Sequence, residues 1–304
     1  MFREILIDIT GGCNAKCPLC VTGRESFGKR ISYISVPDFA RTLDRLLELG
    51  LAEPIHSTIG LHNWGEPIIH PDLDGIVSAL NARQLRIAIS TNASKRTNFT
   101  VPTNGFSSFV FSMPGWSQAS YDRIHGLDFG RVVANIEATI QNVKEMGYQG
   151  RFMLSFHVYQ FNAFDELAAA RAWCVRNDVE FNPYLAYIND YPQMKAFLKG
   201  ELPRKALDEI SRTLFLYYLD DVLRSRPADW ECPQWKHLLT LNYKSEVVVC
   251  CVLPYSNEAS IIGSVFDLTR EEILTGKTTS KECEDCLGCG AAYWAHYYPL
   301  KVSA

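Results

Sequence analysis

The densest chemistry in this chain lies in three cysteines near its start. Cys13, Cys17 and Cys20 stand in Ile7-Asp8-Ile9-Thr10-Gly11-Gly12-Cys13-Asn14-Ala15-Lys16-Cys17-Pro18-Leu19-Cys20, a C-x3-C-x2-C run directly after a strand-like segment. Three thiolates on one tight loop can hold three irons of a [4Fe–4S] cube and leave the fourth open to bind and reduce a small molecule. A zinc loop or a disulfide pair draws on the same residue type, because lone C-x2-C motifs are common.

A second cysteine set closes the chain. Cys232-Pro233-Gln234-Trp235 opens it, Cys250 and Cys251 follow Val247-Val248-Val249, and Cys283, Cys286 and Cys289 make a C-x2-C-x2-C run. Four thiolates suit a cluster or a structural zinc equally well. Cys174 lies in a helix-period segment and reads as core. His62 and His157 stand at strand ends, where they either meet a ligand or satisfy one another's neighbours by internal hydrogen bonds.

Composition narrows the class. The chain has 304 residues, 47% hydrophobic and 21% charged, as ordinary globular proteins do. No stretch approaches the roughly 18 apolar residues of a membrane span. The N-terminus has no signal pattern, so the ten cysteines point to metal ligation in a reducing cytoplasm rather than to disulfides. A net charge of −4 without a long basic run argues against a nucleic-acid substrate.

The elements that must position these residues follow from periodicity. Strand candidates are Glu4–Ile9, Ser57–Leu61, Arg86–Ser90, Ser108–Ser112, Arg151–Tyr159 and Val179–Leu185. Ser35 with Asp38 marks a helix start; Phe39, Leu43, Leu46 and Leu47 form its apolar stripe, and Gly50 ends it. A second helix carries Val132, Ile136, Ile140 and Val143 up to Gly147, and a third covers Leu167–Val175. Strand–helix alternation predicts an α/β fold with a parallel sheet and helices outside it. After Tyr191-Pro192 the pattern changes to a helix over Arg204–Arg224 that carries Leu207, Ile210, Leu214, Tyr217 and Tyr218. A hairpin of Leu238–Asn242 with Glu246–Cys251 follows, then a strand Ile261–Val265 and a short helix near Thr269–Leu274. The domain boundary falls near residue 225, giving units 1–225 and 226–304. Tyr293, Trp294, Tyr297 and Tyr298 predict a helical turn packed on the rest of the fold.

With these motifs in place, the whole chain resembles the radical S-adenosylmethionine (SAM) enzymes. The resemblance implies a partial (β/α)6 barrel in which Cys13, Cys17 and Cys20 ligate a [4Fe–4S] cluster and SAM binds its open iron. Leu19 holds the position that is often aromatic in the family. Trp64-Gly65-Glu66-Pro67 stands where the family carries Gly-Gly-Glu-Pro, which meets the SAM amino group; Trp64 replaces the first glycine. Ser90-Thr91-Asn92-Ala93 resembles the family's Thr-Asn-Gly segment, placing Ser90 and Asn92 near the SAM ribose or carboxylate, and Ser112 offers a hydroxyl for the ribose.

The late cysteines resemble the family's auxiliary domain, called SPASM in full form and Twitch in short form. Cys232, Ser245 and Cys250 keep its opening spacing, with Ser for Gly. The resemblance implies one auxiliary [4Fe–4S] cluster on Cys232, Cys250, Cys283 and Cys286, for two clusters in all, with Cys289 as an alternative fourth ligand. It also implies an alcohol-oxidising enzyme of the 2-deoxy-scyllo-inosamine dehydrogenase type. Such an enzyme acts on a sugar, cyclitol or aminoglycoside, passes an electron to the auxiliary cluster and takes reducing electrons from a flavodoxin or ferredoxin. Epimerisation with Cys289 or Cys251 as hydrogen donor, peptide modification, and an Fe–S or zinc scaffold are the competing readings. The first strand begins by residue 4, which leaves no room for a leader-binding domain and weighs against the peptide reading.

Overall fold

The computed structural model describes residues 1–26, 28–216, 223–224, 226–254 and 256–293. Six strands stand where period-2 and apolar runs placed them: β1 (Glu4–Ile7), β2 (Thr58–Gly60), β3 (Arg86–Thr91), β4 (Phe106–Met113), β5 (Arg151–Val158) and β6 (Glu180–Leu185). They pair in parallel in sequence order, with Ile5 opposite Ile59, Ile59 opposite Ile87 and Phe109 opposite Phe152.

Burial alternates along β4 and β5, as a pleat with one face under helices requires. Phe109, Phe111, Leu154 and Phe156 face the core, while Ser112, Ser155 and His157 fall on the other, partly open face. That face is the lumen of the partial barrel.

The helices outside are α1 (Val21–Glu25), α2 (Val36–Glu48), α3 (Leu73–Asn81), α4 (Gln118–Arg123), α5 (Phe129–Glu145) and α6 (Asp165–Asn177). α2 starts as its sequence indicates: the Ser35 hydroxyl accepts the Asp38 N–H at 3.2 Å, and Phe39, Leu43 and Leu46 are 0% exposed. Cys174 is buried in α6, as its helical setting predicts.

Two expectations change after β6. Tyr191-Pro192, after which the sequence pattern changes, opens an additional helix, α7 (Tyr191–Leu198), with Pro in its first turn, where a missing N–H costs nothing. The helix expected over Arg204–Arg224 stops early, as α8 (Arg204–Ser211), and Leu214 lies beyond its end. Tyr217, Tyr218, Trp294, Tyr297 and Tyr298 lie outside the described residues. Tyr293 is buried edge-on against Trp230, ring centres 5.2 Å apart.

The C-terminal part continues the sheet. After α9 (Gln234–His237), β7 (Leu238–Leu241) pairs parallel to β1, and β8 (Glu246–Val248) and β9 (Ile261–Ser264) add antiparallel neighbours. The order is β6-β5-β4-β3-β2-β1-β7-β8-β9. α10 (Arg270–Thr279) opens with a capping box at Thr269 and Glu272, and the last cysteine run forms α11 (Lys281–Cys289). Among the described residues no helix is long and apolar enough to cross a membrane.

Candidate active site

The loop between β1 and α1 brings Cys13, Cys17 and Cys20 to one wall of a cavity of about 920 Å³. Hydrogen bonds fold the loop tightly: Cys20 N–H donates to the Cys17 carbonyl at 3.2 Å, and Ala15 N–H points at Cys13 Sγ at 3.4 Å. Gly23 lets α1 lie against it, since a Cβ there would sit 2.7 Å from the Cys17 backbone N and O. The three thiols are desolvated, which raises each of them, Cys13 to about 12. Charge on the neighbouring thiols pushes Cys13 and Cys17 further up. Such thiols become thiolates when a cation arrives, so the donor set fits an iron cluster. Among the described residues no three His, Cys, Asp or Glu side chains converge closely enough for a single metal ion. A tetrahedral zinc would want its sulfurs only about 3.8 Å apart, from its ~2.3 Å bonds.

The exit of β2 is fastened to this loop. The Asp8 carboxylate accepts N–H bonds from Asn63, Trp64 and Gly65 at 2.8–3.1 Å. Gly65 approaches so closely that a Cβ would stand 2.2 Å from the Thr10 carbonyl oxygen. Glu66 is buried and accepts from the Thr91 hydroxyl at 2.6 Å, Asn92 N–H at 2.8 Å and Ile68 N–H at 3.3 Å. Burial pushes its carboxyl up to about 7, against the pull of these donors. Glu66 therefore ties β2 to β3 first, and it also lines the cavity. Pro67 is buried and starts a short 3-10 turn.

Trp64 departs furthest from expectation. It is buried, and its indole Nε1 donates to the Leu253 carbonyl at 3.1 Å, reaching the C-terminal part. The neighbouring Asn63 amide, oriented to satisfy both groups, donates to the Cys251 carbonyl at 3.2 Å.

The opposite wall comes from the carboxyl ends of β3 to β6, where parallel α/β sheets bind ligands. Ser90 and Asn92 line it, though the Asn92 amide also holds Asn14 Oδ1 at 3.0 Å and Cys13 Sγ at 3.6 Å. Ser112 Oγ and His157 Nε2 are hydrogen-bonded at 3.2 Å, and the Tyr184 ring lies 4.8 Å from the His157 ring. His62 Nδ1 accepts the Ser90 N–H at 3.1 Å. Leu19 lines the cavity beside the cysteines.

Sequence reasoning missed His125, Tyr184, Tyr187 and Asn189, which also line the cavity from irregular segments or strand ends. His125 is buried with its Nδ1 unpartnered among the described residues. Burial holds all three imidazoles neutral: His62 and His157 fall to about 4, and His125, with His157 adding to the effect, to about 3.

Cys232, Cys250, Cys251, Cys283 and Cys286 line a second cavity of about 770 Å³, and Tyr187 lines both. Burial, then Cys251 and Cys20, raise the Tyr187 phenol to about 12, so its ring faces thiols of both sets. Cys283 and Cys286 share a face of α11 one turn apart, and Trp235 Nε1 donates to Cys283 Sγ at 3.0 Å. The hydrogen bond between neighbouring Cys250 and Cys251 draws Cys250 down and pushes Cys251 up. Cys289 lies one helical turn beyond Cys286, donates its thiol to the Cys286 carbonyl at 3.6 Å, and lines neither cavity. It packs in the same apolar cluster as Cys250, Cys283 and Cys286.

No protein-family model matches the sequence. A 91-residue segment is 29% identical to GTP 3′,8-cyclase of Synechocystis sp., covering 30% of this chain and 26% of the cyclase. Among solved structures, anSMEcpe with bound AdoMet (that is, SAM) superimposes with a TM-score of 0.59 at 14% identity, over 93% of this chain and 82% of that one. SuiB of Streptococcus suis, bound to the precursor peptide SuiA, gives 0.60 at 14% identity, over 96% and 70%. The chain therefore shares the fold of these AdoMet-bound and peptide-bound structures, a partial barrel of parallel strands whose sheet continues into a smaller C-terminal part.

Proposed function

We propose that this chain is a radical SAM oxidoreductase of the cytoplasm that oxidises an alcohol carbon of a small polar substrate, such as a sugar, cyclitol or aminoglycoside. The observation that carries the reading is the single cavity. It sets three half-buried cysteines against the Ser112–His157 pair and shares Tyr187 with a second cysteine-lined cavity. A cluster on Cys13, Cys17 and Cys20 with SAM on its open iron supplies, when bound, a 5′-deoxyadenosyl radical able to take hydrogen from carbon. Cys232, Cys250, Cys283 and Cys286 would hold a second cluster, which would supply an electron acceptor.

The chain's own residues do the rest. Gly65 and Glu66, held by Asp8 and by Thr91 and Asn92, present backbone and carboxylate to the SAM ammonium. Ser90, Asn92 and Ser112 offer polar groups to its ribose and carboxylate. A neutral imidazole at His157 is positioned by Ser112 to accept a hydroxyl proton, and His62 and His125 lie on the same wall. Tyr159, Tyr184 and Tyr187 narrow the cavity and exclude water. Neither Cys251 nor Cys289 lines this cavity, which favours dehydrogenation over epimerisation.

The likeness to SuiB, solved with a precursor peptide, supports a peptide substrate as a second reading. The deciding experiment reconstitutes the full chain anaerobically, with flavodoxin or ferredoxin as reductant. Iron is counted in the parent and in the Cys13/Cys17/Cys20→Ala variant, expected to fall from about eight to about four. Polyols and peptides deuterated at carbon are then offered. Deuterium in 5′-deoxyadenosine from a polyol, with a carbonyl product, supports the reading. Deuterium transfer only from peptide replaces it with the second, and absence of SAM cleavage sinks both.

A further inference from the structure

Nothing above uses the ammonium buried among the late cysteines. Lys277, on α10, is 1% exposed. Its Nζ donates to the Val249 carbonyl at 3.4 Å and stands 5.6 Å from the centre of the Phe2 ring. It lines the second cavity with Cys232, Cys250, Cys283 and Cys286. The ionisable groups acting most strongly on it are Cys250, Cys251, Cys232 and Cys283, none of them a carboxylate. A helix needs no lysine at an inward position; an apolar residue would pack there without losing hydration. A desolvated ammonium is a heavy cost to a fold unless an anion meets it. The cavity is also lined by the Glu282 carboxylate, but the groups that act most strongly on Lys277 are thiols, which become anions when they bind a metal.

We infer that Lys277 is the counter-charge of the four-cysteine site, raising the reduction potential of the cluster bound there and so fitting it to accept an electron. The inference rests on the reading that Cys232, Cys250, Cys283 and Cys286 hold a [4Fe–4S] cluster. Four thiolates leave that cluster with net negative charge in both redox states, and reduction adds one more. A fixed positive charge in a low-dielectric cavity stabilises the more negative form. One electron would leave the substrate radical and enter the cluster.

The test uses the full chain carrying Cys13, Cys17 and Cys20 changed to Ala, so that any iron belongs to the C-terminal set. After anaerobic reconstitution, iron and zinc are counted, and the midpoint potential is read by redox titration followed by electron paramagnetic resonance. Lys277→Met keeps volume and removes charge. It should retain about four irons and lower the midpoint by at least tenfold in the reduction equilibrium, about 59 mV for one electron. Lys277→Arg should stay near the parent. An unchanged midpoint in Lys277→Met overturns the role and leaves the cluster standing. A parent that takes up zinc, or no metal, overturns the auxiliary-cluster reading itself, and this inference with it. Loss of iron from Lys277→Met is settled by melting the metal-free proteins. A variant melting at or above the parent shows that the ammonium serves the thiolates, in support; one melting below it shows a structural lysine and overturns the inference.

Discussion

Replacing Trp64 by alanine removes the side chain that fastens the β2 exit loop to the C-terminal part. The indole is buried, and its Nε1 holds the Leu253 carbonyl at 3.1 Å. Truncating a buried Trp to Ala costs about 3–5 kcal/mol, and the lost hydrogen bond adds about 1 kcal/mol. One edge of the ring borders open cavities on both sides, where water can enter the space left. The lower end of that range therefore applies, about 3–4 kcal/mol in all. Trp64→Phe keeps most of the ring and loses the N–H, for about 1–1.5 kcal/mol. The assay is urea unfolding of the metal-free chain followed by far-ultraviolet circular dichroism, with iron retention measured after reconstitution. Trp64→Ala should also weaken iron retention at both sites, because residues 250 and 251 follow directly from the strand whose loop it grips. A loss below about 1.5 kcal/mol, or equal losses for Phe and Ala, would refute the reasoning.

Three further outcomes test other joints of the site. In the metal-free protein, His62, His125 and His157 are depressed to about 4, 3 and 4, so each withdraws stability as pH falls below the ordinary imidazole value. Asp8 and Glu66, raised to about 7, act oppositely over the same window. Three groups against two predict a net loss of about 1.4 kcal/mol per pH unit from pH 6.5 down to 4.5; a flat or rising profile in pH-dependent urea melts would contradict these burials. Gly23→Ala drives a Cβ against the Cys17 backbone, an overpacking cost of about 1–3 kcal/mol. It should lower iron retention at the first site while the second keeps its four; unchanged retention at the first site would show that α1 does not brace the loop. At position 245, Gly should be at least ~1 kcal/mol more stable than Ala, read from the same urea curves. Equal stabilities would deny the strain assigned to that backbone.

Much of the barrel was legible because its strands are dense apolar runs whose partners are sequence neighbours. All six fall within two residues of their expected ends, β4 starting two residues early at Phe106. The parallel pairing of β7 with β1 was not legible: it joins residues more than 230 positions apart, and no local pattern encodes it. α7 was hidden by its proline, although Asp190, whose carboxylate accepts the Gln193 N–H at 3.1 Å, was a readable cap. At the site, Cys13, Glu66, Asn92, Ser112 and His157 could be found because each sits in a motif or at a strand's end. His125 and Tyr187 sit on irregular connections, where no period says which way a side chain faces. Asp8 did leave a signal, a carboxylate inside an apolar run entering a buried parallel sheet. Lys277 left none, since a lysine on a helix ordinarily marks the wet face.

The departures from the resembled motifs show how the backbone outlives its usual residues. Ala93 stands where the Thr-Asn-Gly pattern has glycine, and it takes a φ of 52°. Ser245 stands where the auxiliary pattern has glycine, and it takes 63°. Each holds a left-handed conformation that disfavours a side chain by about 1–2 kcal/mol, so the turn is required and the glycine is only its easiest occupant. Neighbouring bonds hold both in place. Asn135 donates to the Ala93 carbonyl at 3.0 Å, and the Ser245 and Thr42 hydroxyls meet at 2.6 Å in a buried contact. Trp64 is the opposite case. No left-handed backbone is recorded there, and the bulk that replaces glycine reaches across to Leu253. Two substitutions thus keep a left-handed turn, one beside the first cavity and one in the hairpin that leads to Cys250. The third adds a strut between the first cavity and the C-terminal segment that carries Cys250 and Cys251.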